Sequence, residues 1–253
     1  GHAIDGNSKT KTPDAGGQLR AMTGTIFVCA TPIGNLDDAS PRLIQTLSQC
    51  PVIMAEDTRR TLKLLTHFGI KAQLFPLHIH NESISSNKAL QILMMGQNIA
   101  IVSDAGVPTL ADPGQTLVDM AINHGIKVVP IPGPSAITTA LSVSGFFAQT
   151  FTFRNFLPRK PGALGKALQQ IAEEGRTTVI FESPFRMLAL LESICQNIPD
   201  CQLLICREMT KIHEEYFRGT PKEAFERQKN IQPKGEYTVV IGFPNQQTED
   251  EQD

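Results

Sequence analysis

The stretch Ile99-Ala-Ile-Val-Ser-Asp-Ala-Gly-Val-Pro-Thr-Leu-Ala-Asp-Pro-Gly114 decides the fold. Its first four residues, Ile99–Val102, form an apolar run of buried-strand length. The chain then turns small and polar through Ser103, Asp104, Ala105 and Gly106, and a helical pattern resumes at Gln115. A strand that ends in a small-residue, carboxylate-bearing turn and feeds a helix is where an open α/β sheet binds a ligand. Asp and Gly also populate ordinary turns for local reasons, so a plain connection reads equally well from this stretch alone.

Working outward, the same rhythm repeats on both sides. Apolar strands are expected over residues 25–30, 52–55, 73–77 and 127–129, with helices of about ten residues between them. Ser40 followed by Pro41 is a helix start, and Gly69, Gly96 and Gly125 are helix stops. Strands alternating with helices imply parallel βαβ units with right-handed crossovers. The segment 144–148, Ser-Gly-Phe-Phe-Ala, breaks the rhythm and is the expected hinge. Beyond it, strands with fewer intervening helices imply a mixed sheet. The expectation is therefore two α/β domains, 24–144 with a mostly parallel sheet and 149–244 with a mixed one, and a ligand cleft between them. Residues 1–23 are expected to be a disordered extension, and residues 245–253 an acidic disordered tail.

Bulk properties narrow the function classes. The chain has 253 residues, with 41% hydrophobic and 19% charged, the proportions of a soluble globular protein. No apolar run reaches the roughly 18 residues a membrane helix needs, and no signal-peptide core is seen, so the expected location is the cytoplasm. Setting aside Glu249, Asp250, Glu251 and Asp253 turns the formal net charge from −2 into +2. A nucleic-acid partner would have to use a local basic patch rather than a global field. The best patch is Arg154, Arg159, Lys160 and Lys166, which a solvated surface would also explain. Five Cys without a Cys-x-x-Cys pair favour reduced thiols over disulfides or zinc.

In a parallel sheet, the polar loops 31–35, 56–60, 78–82 and 103–108 lie on one edge and converge. Neither a Gly-x-Gly-x-x-Gly nor a P-loop occurs, which removes the main dinucleotide and triphosphate signatures. Pro132-Gly-Pro-Ser135 suits close ligand approach or a structural turn equally. His78 and His80, with Glu82, match no standard metal spacing, and no metal is expected. Ser103 lacks the surroundings of a nucleophile elbow. The charges of Arg207-Glu-Met-Thr-Lys-Ile-His face either a cleft or solvent.

Taken in order, Thr31-Pro-Ile-Gly-Asn-Leu, Ala55-Glu-Asp-Thr-Arg, His67-Phe-Gly-Ile, Leu77-His-Ile-His-Asn-Glu, Ser103-Asp-Ala-Gly-Val-Pro and Asp112-Pro-Gly form a series. It continues through Pro130-Ile-Pro-Gly-Pro-Ser, Phe156-Leu-Pro, Glu182-Ser-Pro-Phe-Arg, Arg207-Glu-Met-Thr-Lys and Gly235-Glu. The series, spanning residues 24–242, resembles the ribosomal RNA small-subunit methyltransferase I family of tetrapyrrole-methylase-like (class III) methyltransferases. The resemblance implies S-adenosylmethionine as cofactor, a homodimer, and 2′-O-methylation of a cytidine in the decoding region of 16S rRNA.

By motif, it implies cofactor contacts from Pro32, Gly34, Ser103, Asp104, Ala105, Val107, Ser135, Ala136, Phe181, Met209, Gly235 and Glu236. Asp57 is the expected proton acceptor, with Arg59 on an RNA phosphate, and Glu208 and Lys211 are the alternatives. Arg60 joins the basic residues as an RNA contact. The family usually carries Phe-Glu-Gly-Phe-Leu-Pro where this chain has Phe153-Arg-Asn-Phe-Leu-Pro, and Thr where it has Val107. Many members continue into a C-terminal helical domain where this chain has its acidic tail. A small-molecule methyltransferase of the tetrapyrrole type and a catalytically idle RNA- or ribosome-binding module are the other readings.

Overall fold

The computed structural model describes residues 22–78, 80–111 and 113–244. The acidic tail, all of the N-terminal extension but Met22 and Thr23, and the motif residues Ile79 and Asp112 lie outside them. The chain forms two compact units. One comprises residues 22–30 with 40–132, and the other residues 31–39 with 133–244. The segment expected as a hinge lies inside the second unit.

The first unit is a βαβ chain of β1 (Ile26–Cys29), α1 (Pro41–Gln49), β2 (Val52–Ala55), α2 (Thr58–His67), β3 (Gln73–Pro76), α3 (Glu82–Met94), β4 (Ile99–Val102), α4 (Gln115–Asn123) and β5 (Val128–Ile131). Its sheet has the order β3-β2-β4-β1-β5, and each strand pair is parallel. β2 and β4 are buried throughout, as strands covered on both faces must be. Right-handed crossovers put α1 and α2 on one face and α3 and α4 on the other. α3 and α4 pack together over Ile26, Met54, Ile99 and Ile101.

The order has a consequence for ligand binding. From β2 the chain leaves toward β3, and from β4 it leaves in the opposite direction toward β5. The adjacent carboxyl ends of β2 and β4 are therefore the point where the connections diverge, the place where open α/β sheets leave a crevice.

The second unit contains α5 (Ala136–Ser142), β6 (Phe151–Phe156), α6 (Pro161–Glu174), β7 (Thr177–Glu182), α7 (Met187–Asn197), β8 (Gln202–Arg207), β9 (Glu215–Gly219), α8 (Pro221–Gln228) and β10 (Tyr237–Gly242). Its sheet runs β6-β7-β10-β8-β9, with β6 and β7 parallel and the other pairs antiparallel, so it is mixed as expected. β10 is buried at every position. Tyr237, Val239 and Ile241 join the core under α6, α7 and α8, while α5 packs on β10 as well.

One strand boundary differs from expectation: β5 runs on through Pro130, which an edge strand tolerates because it has a free side. α7 starts only at Met187, since residues 183–186 close a turn in which Arg186 N donates to Ser183 O at 3.0 Å.

Candidate functional site

In the first unit, Asp104 links the two loops at the divergence point. Its Oδ1 accepts Asp57 N at 3.0 Å, and its Oδ2 lies 3.9 Å from Arg60 Nη1. Asp57 in turn caps α2, accepting Arg59 N at 2.9 Å. The expected proton acceptor thus has one carboxylate oxygen engaged by a helix N–H. The expected RNA contact Arg60 pairs with Asp104, while Arg59 is exposed. Ser103 is buried, and its hydroxyl donates to Ala105 O at 3.1 Å and Gly106 O at 3.2 Å. It shapes the loop in which Ala105 and Val107 are half-buried.

Glu82, weighed as a third metal ligand, instead caps α4, accepting Gly114 N at 3.1 Å and Thr116 N at 3.3 Å. A carboxylate at a helix N-terminus is favoured by the helix dipole. The rings of His78 and His80 meet edge-on at 6.1 Å. Among the described residues, no group of three or more His, Cys, Asp or Glu could hold a metal ion.

In the second unit, strand register gathers the expected residues on one sheet edge. Tyr237, at the start of β10, stands opposite Glu182 at the end of β7 and opposite Arg207 at the end of β8. Phe156 ends β6 beside Phe181. Phe156, Phe181, Glu182, Glu208, Met209, Gly235 and Glu236 are therefore neighbours along one edge, although they come from four separate stretches of sequence. Ser135 and Ala136 begin α5 in the same unit, and the Ser135 hydroxyl makes no cap bond.

The turn after β8 is strained. Glu208 and Thr210 have φ of +53° and +70°, each a left-handed conformation that costs an L residue about 1–2 kcal/mol. Such strain persists only where the surroundings over-determine it. Here Glu208 N donates to Glu236 O at 2.9 Å, Thr210 N donates to Glu214 Oε2 at 2.8 Å, and Asn35 N donates to Thr210 Oγ1 at 3.0 Å. Gly34 presses on the same turn: a Cβ there would sit 2.7 Å from Lys211 Cγ and 3.0 Å from Met209 O. Its glycine is required by the approach of loop 31–39, whatever ligand binds. Pro32 and Met209 are buried beside these groups in the chain.

Lys211 Nζ donates to Glu208 Oε2 and lies 3.3 Å from Glu236 Oε2. Burial pulls its pKa down, but the Glu208 hydrogen bond and the charges of Glu236 and Glu208 raise it above the ordinary lysine value. Lys211 is an ammonium at neutral pH and cannot serve as a base. An open cavity of about 560 Å³ is lined by Gly34, Asn35, Glu208, Thr210, Lys211 and His213. Arg207 points elsewhere, forming a two-pronged pair with Glu215 at 3.1 Å for each bond.

The basic residues do not form one patch. Arg154 pairs with Glu174 at 3.7 Å and donates to Gln170 at 3.3 Å, near the C-terminal end of α6. Arg159 and Lys160 precede the other end of that 14-residue helix, roughly 20 Å away at 1.5 Å per residue. Lys166 is exposed on α6.

Sequence reasoning missed Arg186, whose Nη2 donates to Arg159 O at 3.0 Å, tying the loop after β6 to the turn after β7. It also missed Glu182. Burial pushes the Glu182 carboxyl above its usual range against the opposing Ser183 N–H, Arg186 and Arg159. Both lie in the quoted Glu-Ser-Pro-Phe-Arg motif, which was the available signal.

Asn155 explains one departure from the family pattern. It stands at φ +57° where the β6–β7 register slips, a bulge that calls for a left-handed residue. Glycine meets that need best and Asn comes next, so Asn suits the position where the resemblance leads one to expect Gly.

The family profile of the tetrapyrrole (corrin/porphyrin) methylases matches residues 25–224. Solved structures with this fold include a cobalt precorrin-4 methyltransferase, at TM-score 0.66 and 14% identity, over 90% of this chain and 97% of that one. Another is a uroporphyrin-III C-methyltransferase from Thermus thermophilus in complex with S-adenosylhomocysteine, at TM-score 0.58 and 14% identity over 87% and 92%. Proteins named ribosomal RNA small subunit methyltransferase I are far more similar in sequence. That of Thermotoga maritima is 43% identical, over 86% of this chain and 98% of its own length. That of Halalkalibacterium halodurans is 40% identical over 93% and 81%. The chain belongs to the ribosomal RNA small subunit methyltransferase I family, within the tetrapyrrole methylases.

Proposed function

We propose that this chain transfers a methyl group from S-adenosylmethionine to the 2′-hydroxyl of a cytidine in the decoding region of 16S rRNA, acting as a cytoplasmic homodimer. The observation that carries the reading is the 40–43% identity to relatives named for methylation of small-subunit ribosomal RNA. Among the described residues no helix is long and apolar enough to cross a membrane.

The residues present fit the cofactor. Glu182, Glu208 and Glu236 share one sheet edge, which favours a cationic ligand. Thr31 Oγ1 is buried without a hydrogen-bond partner among the described residues, at the head of the loop that carries Pro32 and Gly34. The candidate contacts in the second unit are Pro32, Gly34, Ser135, Ala136, Phe181, Met209, Gly235 and Glu236. Those in the first unit are Ser103, Asp104, Ala105 and Val107. When bound, S-adenosylmethionine supplies a methyl carbon already activated by its sulfonium.

The protein's task is then alignment, which supplies about 7–11 kcal/mol, and removal of the hydroxyl proton. Lys211 holds its own proton, and Asp57 is engaged as a helix cap. Glu208 lines the cavity, with Lys211 on its Oε2. We therefore assign the proton acceptor to Glu208 Oε1 and a phosphate contact to the exposed Arg59. Glu208→Gln should keep cofactor binding by calorimetry and lose at least about a hundredfold in single-turnover rate. Asp57→Ala should cost about 1 kcal/mol of stability as a lost cap and keep most of the rate. The reverse pattern would return the role to Asp57.

The overall reading is tested by supplying tritiated S-adenosylmethionine with 16S rRNA, assembled small subunits or a porphyrinoid. Sugar methylation is then mapped by mass spectrometry. Label on one cytidine 2′-oxygen is expected. Label on the porphyrinoid, or on nothing, would overturn the proposal.

A further inference from the structure

The β6 and β7 edge of the second unit carries a group of side chains that methyl transfer leaves unused. Phe156, at the end of β6, and Phe185, in the turn after β7, are 60% and 79% exposed, unusual for phenyl rings. Both positions are built. The Asn155 bulge precedes Phe156, whose ring meets Phe181 at 6.1 Å. Phe185 sits in the closed turn of residues 183–186, and Arg186 holds that turn to the neighbouring loop through Arg159 O. Arg186 Nε is buried and has no acceptor among the described residues. Arg159 and Lys160 are exposed next to it, and Glu182 is the nearby acid.

Exposed rings rimmed by guanidinium and ammonium groups match a polyanion that carries flat apolar faces. We propose that Phe156 and Phe185 form a stacking platform for unpaired bases of the substrate RNA, with Arg159, Lys160 and Arg186 on the flanking phosphates. The inference rests on the RNA-substrate reading above and names how that substrate is held. Stacking is tolerant of sequence because every base has a π-face, and each stacked base contributes on the order of 1–3 kcal/mol. Duplex RNA hides those faces and is excluded from the platform.

The test is fluorescence anisotropy with labelled single-stranded oligoribonucleotides of about a dozen residues and a matched duplex, using the full chain. Phe185→Ala, at an exposed site that leaves folding intact, should weaken single-strand binding about tenfold. It should leave the duplex and the salt slope unchanged, and Phe185→Trp should restore affinity. Arg159→Gln with Lys160→Gln should instead flatten the salt slope by about 1.4, at roughly 0.7 per phosphate. Equal single-strand affinity for wild type and Phe185→Ala would overturn the platform. So would conversion from dimer to monomer by Phe185→Ala in sedimentation, which would give the rings to a second copy. If the wild type binds the oligonucleotides through Phe185 yet methylates no RNA, the substrate reading fails while the platform stands.

Discussion

Gly235→Ala separates strain from site geometry. Gly235 has φ +95°, where an L residue pays about 1–2 kcal/mol. The unfolded chain returns about 0.4–1 kcal/mol, because alanine has less freedom to lose. The added Cβ would lie 3.0 Å from both Cγ and Oε1 of Glu208 and 3.2 Å from its Cδ. All three atoms belong to a flexible side chain, so Glu208 swings away and leaves Lys211, a partly exposed pair contributing about 0–1 kcal/mol. The sum is a loss of roughly 1–2 kcal/mol, at about 2–4 °C per kcal/mol for a chain of this size.

Gly69→Ala is the control. Its φ is +64° and nothing lies within 4 Å of the new Cβ, so it pays the strain alone. Both variants should melt a few degrees early. Calorimetry with S-adenosylmethionine should then show about a tenfold weaker Kd, or 1.4 kcal/mol, for Gly235→Ala, and no change for Gly69→Ala. Turnover should fall in Gly235→Ala alone. Equal affinity and turnover in the two variants would refute the placement of Gly235 and Glu208 at the working edge.

Gly34→Ala should destabilise by about 1–3 kcal/mol through overpacking, since Met209 O, 3.0 Å from the new Cβ, is backbone and cannot swing aside; an unchanged melting temperature would contradict this. Ellman titration at pH 8 should find Cys195 alone reactive in the native chain and all five thiols reactive in denaturant. Burial pushes Cys29, Cys201 and Cys206 to about 12 and Cys50 to about 11, leaving almost no thiolate. The Arg207 hydrogen bond holds the Glu215 carboxyl below its ordinary 4.5. Its stabilisation is therefore complete above that value and fades as pH falls through the lower, folded-state value. Glu215→Gln should lose stability at pH 7 and show a shallower acid limb than wild type; parallel limbs would show that the pair does not contribute.

The strands and helices of the first unit were legible because each signal was local. Ile99–Val102 and Val52–Ala55 are unbroken apolar runs, and Ser40-Pro41 caps a helix as its chemistry demands, with Leu43 N donating to Ser40 Oγ at 2.9 Å. What failed was equally physical. Pro130 masked part of β5, because its effect on a strand depends on whether the strand lies at an edge. The basic cluster dissolved because helix α6 carries Arg154's partner Glu174 away from Lys160, which residue numbers alone do not reveal.

The site was legible as motifs but not as roles, and Asp104 and Glu208 show why. Both are carboxylates after buried strands, and sequence assigned the first to the cofactor and left the second as an alternative base. In the structure Asp104 spends Oδ1 on Asp57 N and pairs with Arg60, so loop geometry already accounts for it. Glu208 stands at φ +53°, with its N–H on Glu236 O, its carboxylate on Lys211 and its Cγ against Gly235. The role proposed for Glu208 rests on partners at residues 235 and 236, brought to it by the pairing of β8 with β10, and no local pattern around residue 208 displays them.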